Sequence, residues 1–263
     1  MDPLRARAAL LSALLIAGLL VGCNRADREA GGVGCRGSRL ELIRPQTLLV
    51  GADVGIEPFA FRREGELTGF EVELMRELGR RMNLEVEIVN RTAPGLLPGL
   101  IAKRYDAVAA AVRTSAENRA QVCFSAPYLE ADLAVVSTRA FEDLSAVPDG
   151  TRVAVEAGSV ASAWTGRNLD RRLDADVVPT LQDVLRAVDE GGVAVMDLAN
   201  ARARAKDTRL RIVEVIDTGE DHAVAFHPDG GALRDRISQR IEAMREDGSL
   251  EALEKEWFGE RPG

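Results

Sequence analysis

Thr47-Leu48-Leu49-Val50-Gly51-Ala52-Asp53 opens a stretch that runs to Tyr128 and decides the fold. The apolar run ends at Gly51 and reads as a buried strand. Pro58 stops any helix from continuing back through the loop. From Phe70, apolar residues return at Val72, Leu74, Met75, Leu78 and Met82 with charges between them, which is the helical period. Glu85-Val86-Glu87-Ile88-Val89 alternates, so the chain goes back to strand. Strand, helix, strand is a βαβ unit, and its right-handed crossover makes the strands parallel.

Outward from this unit the pattern continues. Tyr105–Val112 reads as a strand, Ser115–Gln121 as a charged helical stretch, and Leu133–Ser137 as a further apolar strand. Phe141–Pro148 suits a short helix and turn. Thr151–Val155 alternates and delivers the chain through Gly158-Ser159 to a helix start. Thr180 caps a helix whose one face carries Leu181, Val184, Leu185 and Val188. Gly191-Gly192 ends it, and Val193–Met196 is a short buried strand that stops at Asp197. Ile212–Ile216 and Ala223–Phe226 follow as strands, and helices close the chain from Leu233 to Phe258.

A net charge of −8 without a long run of like charge excludes nucleic acid as a partner. Neither G-x-S-x-G nor a P-loop is present, and the two histidines, His222 and His227, are not spaced as a metal pair. No cofactor, no metal and no catalytic residue is therefore expected, and the histidines take structural roles at a strand's ends. Gly32-Val33-Gly34-Cys35-Arg36-Gly37 spells a dinucleotide fingerprint, yet no strand precedes it and no helix pattern follows.

The N-terminus carries Arg5 and Arg7, an apolar run from Ala8 to Leu20, and small residues before Cys23. This is an export signal over residues 1–22, shorter than the roughly 20 apolar residues a membrane span needs. Residues 23–46, rich in Gly, Arg and Ala up to Arg39, read as a flexible tether. Cys35 and Cys123 invite a disulfide in an oxidising compartment; alternatively Cys123 is a small buried residue beside Phe124.

The ordered motifs VGAD, PFAF, LTGFEVEL, LLPGL, YDAVAAAV and FSAPYL, followed by Asp247-Gly248-Ser249-Leu250 and Glu254-Lys255-Glu256-Trp257-Phe258-Gly259, resemble one family from Thr47 to Gly259. It is the family of bacterial extracellular solute-binding proteins that serves amino-acid ABC importers. The resemblance implies an α/β, two-lobed clamshell of the type II periplasmic-binding-protein kind. Lobe 1 would comprise 47–133 and 223–263, with lobe 2 (134–222) inserted in it through a two-strand hinge. Function would be capture of a small polar solute, an amino acid or related carboxylate, by a monomer that delivers it to a membrane permease. A ligand sensor or a dehydratase-like enzyme on the same fold are the alternatives. Leu20-Val21-Gly22-Cys23 resembles a lipobox, which implies a lipid on Cys23 and an anchored life on the extracytoplasmic side of a membrane.

Ligands of open α/β sheets sit beyond the carboxyl ends of the strands, and the candidate residues all lie there. Asp197 matches the aspartate that receives the ligand's ammonium; capping of the following helix is the other reading. Gly158, Ser159 and Val160 match the loop whose amides meet a carboxylate, a property of helix starts generally. The family's carboxylate-clamping arginine aligns with Asn118, one residue short of Arg119. Arg113, at the end of the Tyr105–Val112 strand, could supply the guanidinium instead, with Ser115 beside it; a solvated surface role is open for both arginines. Asp53 stands on the rim, and Phe59 is a cleft wall or a core residue. Ile56 and Ala93 occupy positions where the family often places aromatics, so no platform for a cationic side chain is expected.

Overall fold

The computed structural model describes residues 33–206 and 208–261, so Cys23 and the expected export signal lie outside the described residues. The first lobe begins with β1 (Thr47–Ala52), the hairpin β2 (Phe61–Arg63) and β3 (Glu66–Thr68), and α1 (Phe70–Met82). It continues through β4 (Glu85–Asn90), α2 (Ala93–Ile101), β5 (Ala107–Val108), α3 (Ala116–Arg119) and β6 (Cys123–Glu130). A second lobe follows as β7 (Leu133–Ser137), β8 (Arg152–Glu156), α4 (Val160–Asn168), β9 (Asp174–Val178), α5 (Leu181–Asp189), β10 (Val193–Asp197), α6 (Leu198–Ala205) and β11 (Arg211–Ile216). The chain then returns to the first as β12 (Asp221–Phe226), α7 (Gly231–Glu246) and α8 (Ser249–Phe258).

Each lobe is built on a mixed five-stranded sheet, ordered β4-β1-β5-β12-β6 in the first and β11-β7-β10-β8-β9 in the second. β1 pairs in parallel with β4 and β5, as a βαβ crossover requires. The face of α1 bearing Phe70, Val72, Leu74, Met75 and Leu78 is buried, and the helix ends at Asn83 in the left-handed conformation. Where the chain crosses between lobes, the two segments are stitched together. Ala131 N donates to Glu220 O at 3.0 Å, Thr218 Oγ1 donates to Ala131 O at 3.1 Å, and Thr218 N donates to Asp132 Oδ1 at 3.0 Å. The lobes also touch through α6, whose Ala199 and Ala203 join the first lobe's core while Arg202 donates to Gly259 O at 2.8 Å beyond α8.

Three local expectations differ from the structure. The strand expected over Tyr105–Val112 is only Ala107–Val108. Tyr105 is instead a plug: a Cβ at Gly51 would lie 2.7 Å from its ring, and one at Gly99 would lie 2.2 Å from its hydroxyl. At the other end Ala111 takes a φ of 48°, which no strand can hold. Likewise the helical stretch Ser115–Gln121 shrinks to the single turn of α3, with Ser115 Oγ accepting from Asn118 N.

The tether expected to reach residue 46 is, from Val33 onward, strapped to the first lobe. Val33 N donates to Arg119 O at 2.9 Å, Arg36 N to Pro228 O at 2.6 Å, and Leu40 and Leu42 pack on the core. A disulfide joins Cys35 to Cys123 with Cα atoms 5.7 Å apart. Gly37, at φ 93°, permits the close approach, since a Cβ there would sit 2.1 Å from Asp229 O.

Arg81 ties α1 to the α7–α8 turn, meeting Glu77 at 2.6 Å and Asp247 at 2.7 Å. Hydrogen bonds from Arg80 and then Arg81 hold the Glu77 carboxyl at about 2, and those from Ser249 and Arg81 hold Asp247 at about 2. Both lie below their unfolded values, so their contribution is complete above about pH 4.5 and is lost as pH falls toward about 2. Thermal melts of wild type and Arg81→Ala should therefore differ at pH 6 and converge near pH 2. An unchanged gap across that range would remove the pair from the acid response.

Candidate functional site

Asp197 ends β10, pointing its carboxylate at the start of α6, where Oδ1 accepts from Ala199 N at 3.0 Å and Asn200 N at 3.3 Å. It is thus a helix cap, one of the two roles open to it, and Oδ2 is left facing the first lobe. There Oδ2 lies 3.7 Å from His222 Nε2. His222 belongs to β12 and is 2% exposed. Its ring meets the edge of Phe59 at 5.7 Å, and Phe59 in turn leans on Phe258. Phe59 is accordingly both core and wall.

Behind this pair lies Glu71 on α1, fully buried. One of its oxygens, Oε1, accepts from the Tyr128 hydroxyl and from Ala111 N, the latter at 2.6 Å. Burial pushes the Glu71 carboxyl up, against the pull of the Tyr128 hydrogen bond, and burial likewise pushes the Tyr128 hydroxyl well up. Glu71 Oε2 and both ring nitrogens of His222 have no hydrogen-bond partner among the described residues.

Arg113 reaches the same neighbourhood through its backbone, which bridges to His222. Its guanidinium is occupied: Nε meets Glu220 at 2.7 Å and Nη2 donates to Thr218 Oγ1 at 2.9 Å, on the return crossing. A solvated role is ruled out for it. Arg119 faces elsewhere; Nε donates to Thr114 O at 2.9 Å, and the guanidinium lies 5.7 Å from the Phe124 ring. Asn118 donates to Arg113 O at 2.9 Å, bracing that loop. Asp53 Oδ2 accepts from Ala93 N at 2.7 Å and so fastens β1 to the first residue of α2.

Gly158, Ser159 and Val160 stand at the end of β8. Ser159 caps α4, accepting from Ser162 N at 3.0 Å, and nothing lies within 4 Å of a Cβ at Gly158. Val160 is 41% exposed, and within the turn the Ser159 amide donates to Glu156 O at 3.2 Å. His222 is thus the common neighbour of Phe59, Asp197 and the Arg113 backbone, while Arg119 and Asp53 are held elsewhere.

A groove of about 470 Å³ runs between the lobes on the α5–α6 side, with Met196 and Asn200 in its floor and Pro58, Leu181, Arg204 and Trp257 around it. Sequence reasoning missed it. Its signals were adjacency only: Met196 precedes Asp197, Pro58 precedes Phe59, and Leu181 follows the Thr180 cap. His222 was also missed as a site residue, since the β12 pattern around it reads as plain buried strand. No group of three or more metal-ligating side chains occurs among the described residues. No described helix is long and apolar enough to cross a membrane.

The sequence model of the bacterial extracellular solute-binding proteins, family 3, matches residues 48–260. The L-cystine-binding protein TcyJ of Escherichia coli is 30% identical over 226 residues, covering 81% of this chain and 83% of the relative. A probable amino-acid ABC transporter-binding protein of Haemophilus influenzae is 29% identical, covering 82% and 86% respectively. Among solved structures, an ancestral arginine-binding protein bound to arginine is 26% identical with a TM-score of 0.64, covering 81% of this chain and 99% of that one. An ancestral cationic amino acid solute-binding protein, 24% identical, superposes with a TM-score of 0.73 over 81% of this chain and 96% of its own.

Proposed function

Because the chain belongs to the bacterial extracellular solute-binding proteins of family 3, we propose that it captures a small amino acid between its lobes and delivers it to the permease of an ABC importer. The observation that carries the reading is Asp197 Oδ2, a carboxylate oxygen at a strand's end turned from one lobe toward the other. Such an oxygen suits a ligand ammonium, and closure of the cleft strengthens the pair by excluding water. We assign the ligand carboxylate to the turn at Gly158–Val160, where nothing lies within 4 Å of a Cβ at Gly158, and to Arg113, which would exchange Glu220 for the ligand. Arg113 is preferred to Arg119 because its backbone adjoins His222, the neighbour of Asp197. The protein performs no chemistry on its ligand in this reading. A lipid on Cys23 would hold it to the membrane face where the permease works.

A thermal-shift screen of the soluble chain against the common amino acids, L-cystine and small dicarboxylates tests the reading. Ligand at a hundred times its dissociation constant should stabilise the fold by roughly 2.7 kcal/mol. Asp197→Asn, which keeps the cap oxygen, should weaken binding about a hundredfold or more while the apo melting point stays close to wild type. Binding of a carboxylate that lacks an amine, undiminished in Asp197→Asn, would overturn the assignment.

A further inference from the structure

We propose that His222 sets the affinity of Asp197 for a ligand ammonium in a proton-dependent way: the neutral imidazole leaves the carboxylate to the ligand, and the protonated one claims it. The proposal rests on the reading of Asp197 given above. It starts from an anomaly of burial. His222 is 2% exposed, yet neither ring nitrogen has a hydrogen-bond partner among the described residues. A buried polar group without a partner costs on the order of 1–3 kcal/mol, so such groups tend to have a use. Nε2 lies 3.7 Å from Asp197 Oδ2, beyond a hydrogen bond but within ion-pair distance.

The surroundings leave Asp197 as the natural counter-charge. From α1, Glu71 faces the ring, but its carboxyl is pushed up by burial and is bonded to Tyr128 of β6 and to Ala111 N. Arg113, on the segment bridged to His222, has its charge matched by Glu220. Asp221, the preceding residue on β12, is pushed up by burial and then by Asp132, with Arg119, His222 and Arg245 pulling it back down. Phe59 offers only a ring edge. Imidazole is the side chain whose charge changes between about pH 5 and 8. Because His222 is on β12 and Asp197 on β10, their contact spans the lobes. Protonation therefore places a fixed cation where the ligand's ammonium has to go, and binding expels that proton.

With L-cystine and L-arginine as probes, the dissociation constant should rise as pH falls from about 8 to 5, by up to about tenfold per pH unit. In His222→Gln it should be flat. Wild-type affinity that is flat from about pH 8 to 5, or a fall of the same size in His222→Gln, overturns the proposal and leaves the binding function standing. If neither these probes nor the thermal-shift panel binds at any pH, the binding reading fails and takes the proposal with it. If His222→Gln does not fold, His227→Asn takes its place: it removes the chain's other histidine and should keep the wild-type fall in affinity, and loss of that fall would overturn the proposal.

Discussion

Replacing Cys35 or Cys123 with serine should lower stability by roughly 4–5 kcal/mol, the chain-entropy value for a bridge that closes a loop of this length. The two residues are 88 apart in sequence, so the unfolded chain loses a large set of conformations when they are joined. For a protein of this size, that loss corresponds to a fall in melting temperature of roughly 10–15 °C. Calorimetry of wild type with and without reductant, beside Cys123→Ser, measures it. The bridge lies on the strap side of the first lobe, where Val33 meets Arg119 and Cys35 packs on the core, and not at Asp197. Ligand affinity at low temperature should therefore survive the loss. A melting point that reductant leaves unchanged, with both thiols demonstrably free, would mean that the strap's hydrogen bonds suffice alone.

Glu71→Ala should cost roughly 3–5 kcal/mol, because it strands two buried donors and opens a void beneath them. The donors are the Tyr128 hydroxyl and the amide of Ala111, whose left-handed backbone has its N–H held by Glu71 Oε1. Glu71→Gln keeps an acceptor in place and should cost less. The sign of its pH dependence is fixed by the raised carboxyl. Ionising a group whose folded value lies above its unfolded value of 4.5 destabilises the fold as pH rises past 4.5. Urea unfolding at pH 5 and pH 7.5 should thus find Glu71→Gln closing on wild type, or passing it, at the higher pH. A constant difference between the two would show that Glu71 is charged in the folded state at both.

The elements that the sequence made legible were those with one dominant period. Helix α1 and strands β1, β4, β7, β8 and β10 carry continuous or regularly spaced apolar residues, and each lies close to where the pattern places it. Asp197 was legible because a polar residue directly after a buried strand has few places to be. Tyr105–Val112 was not, since its apolar run satisfies a strand pattern while two glycines elsewhere, Gly51 and Gly99, make room for the ring that breaks it. The strap failed for a related reason: Gly and Arg between residues 33 and 40 suit a loose linker, and only the distant partners Arg119, Pro228 and Gly231 reveal that it is held. The choice between Arg113 and Arg119 turns on Glu220, Thr218 and Thr114, contacts between residues far apart in sequence or on a turn whose length was overread. His222 was read as structural because nothing in a strand pattern says that a buried ring lacks a partner.

The placement of β12 has a consequence for the order in which the protein is made. It lies between β5 and β6, the only link between β6 and the rest of the first sheet, yet it begins only at Asp221. Every strand of the second lobe, by contrast, falls within the unbroken segment from Leu133 to Ile216. As the chain emerges from its N-terminal end, the lobe that starts second is finished first. The lobe that starts first waits with β5 and β6 unpaired along their facing edges until nearly the last residues arrive. Cys35 and Cys123 both belong to that waiting half, so a bridge closed early would join the strap to β6 before the strand that ties β6 to the rest of the sheet exists.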